Sequence, residues 1–288
     1  MHRNATTSTA SMPARSPPAN GPDALPAPLR ARLLQRLQWH RDLHDRQREP
    51  RNADPFLGRL QHWQQQRLAR SFAGFLDDAR TRPAALFFLE DLYGDRDFSA
   101  RDRDLARVLP KMAKLLPRRM LVTAADGIEL ASLSHAFDLR MAAWLAQVLP
   151  AAATIDEHTY AAAYRAVGCP RLRRHQIALV ARIGEALDHA VQLPALWNLL
   201  RMCRVPARLA GLDALQSFLE RGFGAFRHLG GGADFVGRIV AQEAEVSRRL
   251  FAGERDPFGG QRTEDGGQRT EDRGQRTEDR GQREVSRQ

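Results

Sequence analysis

Residues 56–75 read FLGRLQHWQQQRLARSFAGF, with Phe56, Leu60, Trp63, Leu68, Phe72 and Phe75 spaced three to five positions apart. That spacing gathers the large apolar side chains on one face of a helix with 3.6 residues per turn. The same period returns at Leu212, Leu215, Phe218, Leu219, Phe226 and Leu229, and again at Phe235, Ile239, Val240, Val246 and Leu250. No convincing run of alternating β-branched residues occurs in the chain. The pattern predicts an all-α fold.

The punctuation agrees with the periodicity. Ser99-Ala100-Arg101-Asp102 and Thr154-Ile155-Asp156-Glu157 have the form of capping boxes, in which hydroxyl and carboxylate satisfy the first free amides. Gly94 reads as a C-terminal stop, and Pro83, Pro170, Pro194 and Pro206 stand at helix starts. Helices are expected over 28–47, 55–79, 83–93, 100–115, 118–148, 155–167, 171–191, 195–203, 207–228 and 233–251. Short connections predict a single compact, bundle-like multi-helix domain over residues 28–253. A domain of that size buries roughly 70% of the surface its unfolded chain exposes, so it needs no disulfide or metal to hold it.

Both ends read as disordered tails. Residues 1–27 are rich in Pro, Ser, Thr and Ala and lack the apolar run of a secretory signal; Met1 and Met12 are both candidate starts. From Gly260 the sequence GQRTED recurs at Gly267 and Gly274, with a degenerate copy from Gly281. The period of seven suggests a coiled coil, but the repeat holds no apolar residue for the a and d positions. Residues 254–288 are therefore expected to stay solvated.

Of 288 residues, 44 are Lys or Arg and 34 are Asp or Glu, a formal charge of +10. All the lysine is at Lys111 and Lys114. The tails nearly cancel, so the excess belongs to the folded part. Arginine- and alanine-rich composition is also what a GC-rich genome yields without selection for a basic surface. No stretch approaches the roughly 18 apolar residues of a membrane span. Cys169 and Cys203 are isolated, which fits neither a disulfide framework nor a zinc site and predicts a reducing, cytosolic compartment.

The most distinctive segment is Phe87-Phe88-Leu89-Glu90-Asp91-Leu92-Tyr93-Gly94, followed by Asp97-Phe98-Ser99. It resembles the bacterial family named for its FFLEELY motif, with Asp91 where the motif has Glu. Residues Gly211–Gln216, Phe218–Phe223 and Ala225–Arg227 are similar to that family as well. The resemblance spans most of the core and neither tail. It implies a family without an established activity, so no functional residues carry over. Physically, Phe87, Phe88, Leu92 and Tyr93 cover a wide apolar arc, which predicts a helix buried on most sides. Glu90 and Asp91 are expected to meet Arg101 or Arg103.

Several constellations are weaker. His40-Arg41-Asp42-Leu43 copies kinase catalytic-loop letters, but no glycine-rich phosphate loop or strand lysine accompanies it. His40 and His44 share a helix face, yet Arg36, Arg41 and Arg46 surround them, which predicts a solvated face rather than a metal site. Glu185 and His189 have the spacing of an ordinary i, i+4 contact. On the 118–148 helix, Asp126, Glu129, Ser132 and His135 stand among apolar neighbours and form a candidate polar pocket. Glu129 and His135 lie about 240° apart around that helix and need another element to converge.

The clearest charge pattern is a stripe of Arg103, Arg107, Lys111, Lys114 and Arg118, spaced 4, 4, 3 and 4. Such a stripe can meet an acidic protein or an anionic ligand. Nucleic acid is not supported, because aromatic interleaving and a recognisable reading helix are both missing. The first expectation is thus a cytosolic binding or adaptor protein using this basic face. The alternative is a small-molecule-binding protein or enzyme with a polar pocket on the 118–148 helix. The sequence calls for no cofactor and no metal, whether the chain is an enzyme stays open, and so does its oligomeric state.

Overall fold

The computed structural model describes residues 27–92, 99–112 and 118–259. The expected tails up to residue 26 and from 260 on, the stop at Gly94 and the stripe residue Lys114 fall outside them. The described chain is helical, with no strand: α1 (Ala27–His44), a 3-10 turn (Pro50–Ala53), α2 (Pro55–Ser71), α3 (Ala73–Asp77) and α4 (Arg82–Phe87) come first. A π-helical turn (Phe88–Leu92) follows, then α5 (Ser99–Met112), α6 (Arg118–Val148) and α7 (Glu157–Val167). The last five are α8 (Pro170–Val191), α9 (Pro194–Met202), α10 (Arg204–Leu209), α11 (Asp213–Leu229) and α12 (Ala233–Ala252).

Local chemistry sets most of these boundaries. Asp54 starts α2 by accepting from the Phe56 amide at 2.8 Å, with Pro55 at the first helical position. The box expected at Thr154 sits two residues later: the Asp156 carboxylate accepts from the Thr159 amide at 2.7 Å, and Thr159 Oγ1 accepts from the Asp156 amide at 2.9 Å. The expected 55–79 helix breaks at Phe72, whose ring is buried in an aromatic cluster and meets Phe75 edge-on. The expected 207–228 helix breaks at Gly211, whose φ of +63° ends α10 before α11 begins.

The 31-residue helix α6 is the axis of the fold. Helices α1, α2, α7 and α8 pack against it, α12 lies along α8, and α11 bridges α4, α5 and α8. The core is divided into three clusters. One joins α2, α6, α7 and α12 around Leu60, Leu145, Tyr160 and Leu250. A second is aromatic, with Phe72, Phe75, Phe88, Phe226 and Phe235. The third seats Leu33 and Leu37 of α1 on Leu121 and Ile128 of α6. The first cluster reaches further than the sequence suggested. Phe258, expected in the solvated tail, is buried against Trp63 and Tyr160.

The FFLEDL run is architectural. The wide π-helical turn brings Phe88, Leu89 and Asp91 all inward, while Leu92, expected to be buried, is exposed. Asp91 is gripped by Arg221 of α11, with Nη2 at 2.6 Å from Oδ1 and Nε at 3.1 Å from both oxygens. Arg101 donates to the Asp91 carbonyl at 3.0 Å, and Arg103 is exposed. The sequence did not name Arg221 for this carboxylate, because it lies on a distant helix. At the α4–α11 crossing, a Cβ on Gly222 would stand 2.6 Å from the Phe87 ring. Gly222→Ala is expected to destabilise by about 1–2 kcal/mol, since the clash outweighs the helix-propensity gain. Urea unfolding checks this, and an unchanged or higher midpoint contradicts it.

Candidate functional site

The polar residues predicted on α6 separate into two groups. Asp126 is buried and held by Arg36 of α1, with Nη1 at 3.2 Å, and by Arg182 of α8, with Nε at 3.0 Å. Glu129, one turn on, pairs with Arg36 Nη2 and accepts from His175 Nε2 at 2.8 Å. These residues form an ionic cluster that ties α1, α6 and α8 together. Burial lowers the pKa of Arg36, the Arg32 charge adds to that, and Asp126 works against it.

His135 belongs elsewhere. Its ring stacks on His44 at 4.1 Å, and His44 lies 4.2 Å from His40. The His135 Nε2–H donates to Asn52 Oδ1 at 2.7 Å, because the Asn52 amide nitrogen already serves the Leu43 and Glu49 carbonyls. Burial first, then the neighbouring His44 and His40, push the His135 pKa down to about 4. His40 is 6% exposed and bonds Ser132 at 3.2 Å, which corrects the solvated face expected from its arginine neighbours. That face turns inward because α1 packs on α6. Among the described residues no group of three or more His, Cys, Asp or Glu is placed to hold a metal ion.

The basic stripe is divided between two helices. Arg103, Arg107 and Arg118 are exposed. Arg107 donates to the Ala210 carbonyl and, at 2.9 Å, to that of Gly211, so it anchors the end of α10. Helix α5 ends at Met112, just past Lys111, whose side chain is not among those described. Glu185 and His189 do meet, through His189 Nδ1 and the Glu185 carbonyl at 2.8 Å.

A half-open cleft of about 2750 Å³ with predominantly apolar walls runs along α6 and reaches the surface at the exposed Arg41, Arg46 and Arg118. One wall is the stripe Gly127, Ala131, Ser134 and Asp138 of α6. Facing it are Ile177, Val180, Ile183 and Leu187 of α8, which are only half-buried although they sit within the bundle. Phe218, Leu215 and Phe223 of α11 line a third side.

One end of the cavity is polar, and sequence reasoning missed it. Gln64 donates to Asp138 at 3.1 Å, Arg67 of α2 pairs with Glu243 of α12 at 3.0 Å, and Gln176 donates to Ser134 at 2.7 Å. Tyr164 and Ser247 share a hydrogen bond of 2.8 Å. Burial pushes the Asp138 carboxyl up to about 6, opposed by hydrogen bonds from Gln64 and Gln61 and by the Arg173 charge. Arg173, 6% exposed, lies between the rings of Phe137 and Tyr164, 3.6 and 4.3 Å from their centroids. A signal for it exists in the sequence. Arg173, Ile177, Val180, Gly184 and Leu187 are spaced 4, 3, 4 and 3, so this arginine extends the apolar stripe of α8 rather than its outer face.

Fold and site together define an all-α domain with a large, mainly apolar cleft that carries charged, hydrogen-bonded residues. The chain belongs to the family described as a domain of unknown function (DUF8198), which matches residues 43–257. The matched stretch begins at the last turn of α1 and takes in every other helix. No curated protein matches the chain, and no solved structure matches it.

Proposed function

We propose that this chain is a small-molecule-binding protein that holds an apolar ligand between α6, α8 and α11. The observation that carries this reading is the cavity itself. Drug-sized ligand sites occupy about 300–1,000 Å³, so this volume has room for a long apolar molecule. Its walls offer water few partners, and ordered water requires two to four of them. The half-buried isoleucines and leucine of α8 are a greasy surface that an apolar guest would cover.

The reading favours the pocket alternative over the basic stripe, one of whose arginines serves as an internal anchor at Ala210 and Gly211. Of the pocket candidates on α6, Asp126 and His135 line this same cavity, and Ser134 and Asp138 join them. The run Phe87–Tyr93 supports grouping the chain with the bacterial FFLEELY-motif proteins. The free thiols of Cys169 and Cys203 fit a reducing, cytosolic setting. No helix among the described residues is long and apolar enough to cross a membrane.

Titration with Nile red, a neutral apolar dye, tests the proposal. Saturable one-to-one binding with a blue-shifted emission, competed by dodecanol, is the expected result. Emission that rises without saturation, or that dodecanol does not reduce, would overturn it.

A further inference from the structure

We infer that the polar end of the cavity receives the carboxylate of an acid with a long apolar chain, and that Arg173 is the residue that binds it. The inference rests on the cavity-binding reading above and specifies its ligand class.

Arg173 is unlike the other arginines held inside the domain. Arg36 meets Asp126 and Glu129, and Arg67 meets Glu243. Among the described residues no carboxylate lies within ion-pair distance of Arg173. Its Nη1 donates to Gln176 Oε1 at 3.3 Å, and its Nη2 finds only the thioether of Met141, also at 3.3 Å. Its Nε has no acceptor at all. Nε and Nη2 form one edge of the guanidinium, the edge that a carboxylate takes with two parallel hydrogen bonds. Sulfur is a weak acceptor, so both donors on that edge stand without a strong one.

Burial makes this costly. Guanidinium does not lose its proton in proteins, so Arg173 stays charged among apolar groups. A buried charge needs a counter-charge and hydrogen bonds to offset desolvation. Neither neighbouring carboxylate hydrogen-bonds it: Glu243 is taken by Arg67, and Asp138 is bonded to Gln64 and acts on Arg173 only through space. Phe137 and Tyr164, with ring centroids 3.6 and 4.3 Å from the guanidinium carbon, restrain the side chain. Arg173 and Asp138 both line the cavity, which extends from them along the apolar residues of α6 and α8. One cation with one donor edge suits a singly charged carboxylate better than a phosphate dianion, and the apolar walls suit its chain.

The test compares dodecanoate, dodecanol and dodecyl phosphate by isothermal titration on the full chain and on Arg173→Gln. The chain is common to all three, so the headgroup alone decides. Dodecanoate is expected to bind at least about tenfold more tightly than dodecanol, the worth of one charge-assisted pair. In Arg173→Gln the two are expected to bind within about twofold of each other. Equal affinity for acid and alcohol in the native chain would overturn the inference while leaving the cavity reading standing, provided Nile red still binds. Tighter binding of dodecyl phosphate than of dodecanoate would overturn the carboxylate assignment. Should Arg173→Gln fail to fold by circular dichroism, the native-chain comparison decides alone. Loss of Nile red binding by the native chain instead removes the underlying reading.

Discussion

Arg36→Met is expected to cost the fold about 3 kcal/mol, far more than removal of any arginine of the basic stripe. Arg36 leaves only 9% of its side chain exposed, as does Asp126, and it serves Asp126 and Glu129 together. Methionine keeps most of the aliphatic packing but leaves two carboxylates in a seam with reduced compensation. Arg182 is 46% exposed and still screens Asp126, and His175 still donates to Glu129, which keeps the loss from growing further. The exposed Arg107 holds two carbonyls at the surface, so Arg107→Met is expected to cost no more than about 1 kcal/mol. Urea unfolding of both variants at neutral pH distinguishes the two. Equal losses would contradict the assignment of the ionic cluster as a clamp between α1, α6 and α8.

The second large effect is one of pH, and it is concealed in the native chain. His135 has its pKa lowered to about 4, so the unfolded chain binds a proton that the folded chain refuses. Its contribution to stability therefore rises with pH between about 4 and 6.5, by about 3 kcal/mol. Asp138 has its pKa raised to about 6, so the folded chain keeps a proton that the unfolded chain has shed. Its contribution falls with pH between about 4 and 6, by a similar amount. The two slopes oppose each other over nearly the same window. Asp138→Asn preserves an acceptor for Gln64 and removes the falling slope. This variant is expected to gain stability steeply from about pH 4 to pH 6.5, where the native chain changes little. Parallel, flat profiles for native chain and variant would show that neither group is buried as described.

Helix positions were legible wherever periodicity and caps coincide. The 118–148 helix appears over that span because nothing interrupts it, and the starts at Pro83, Pro170 and Pro194 follow from proline's fixed φ and missing amide, whereas Pro206 lies within α10, which begins at Arg204. Breaks at Phe72 and within the FFLEDL run were not legible, because tertiary packing of the aromatic cluster sets them. The candidate site was legible only in part. Asp126 and Glu129 stand out as acids inside an apolar helix, but their partners Arg36, Arg182 and His175 come from helices far away in sequence. The polar end of the cavity was harder still. Arg67, Asp138, Arg173 and Glu243 sit on four different helices, and each resembles an ordinary surface charge until the helices meet. Only the register of Arg173 on the apolar stripe of α8 betrays one of them.

The central claim is that the space along α6 is a ligand site, and filling that space tests it most directly. A Cβ on Gly127 would meet nothing within 4 Å, and Ala131 lies one turn further along the same cavity wall. The double variant Gly127→Leu, Ala131→Phe adds bulk to the cavity and replaces a helix-interior glycine, worth up to about 1 kcal/mol. The measurement is Nile red affinity together with melting temperature on one preparation. Affinity is expected to weaken by at least about tenfold while the melting temperature holds or rises. Unchanged affinity in a variant that melts no lower than the native chain would place the dye elsewhere and contradict the account.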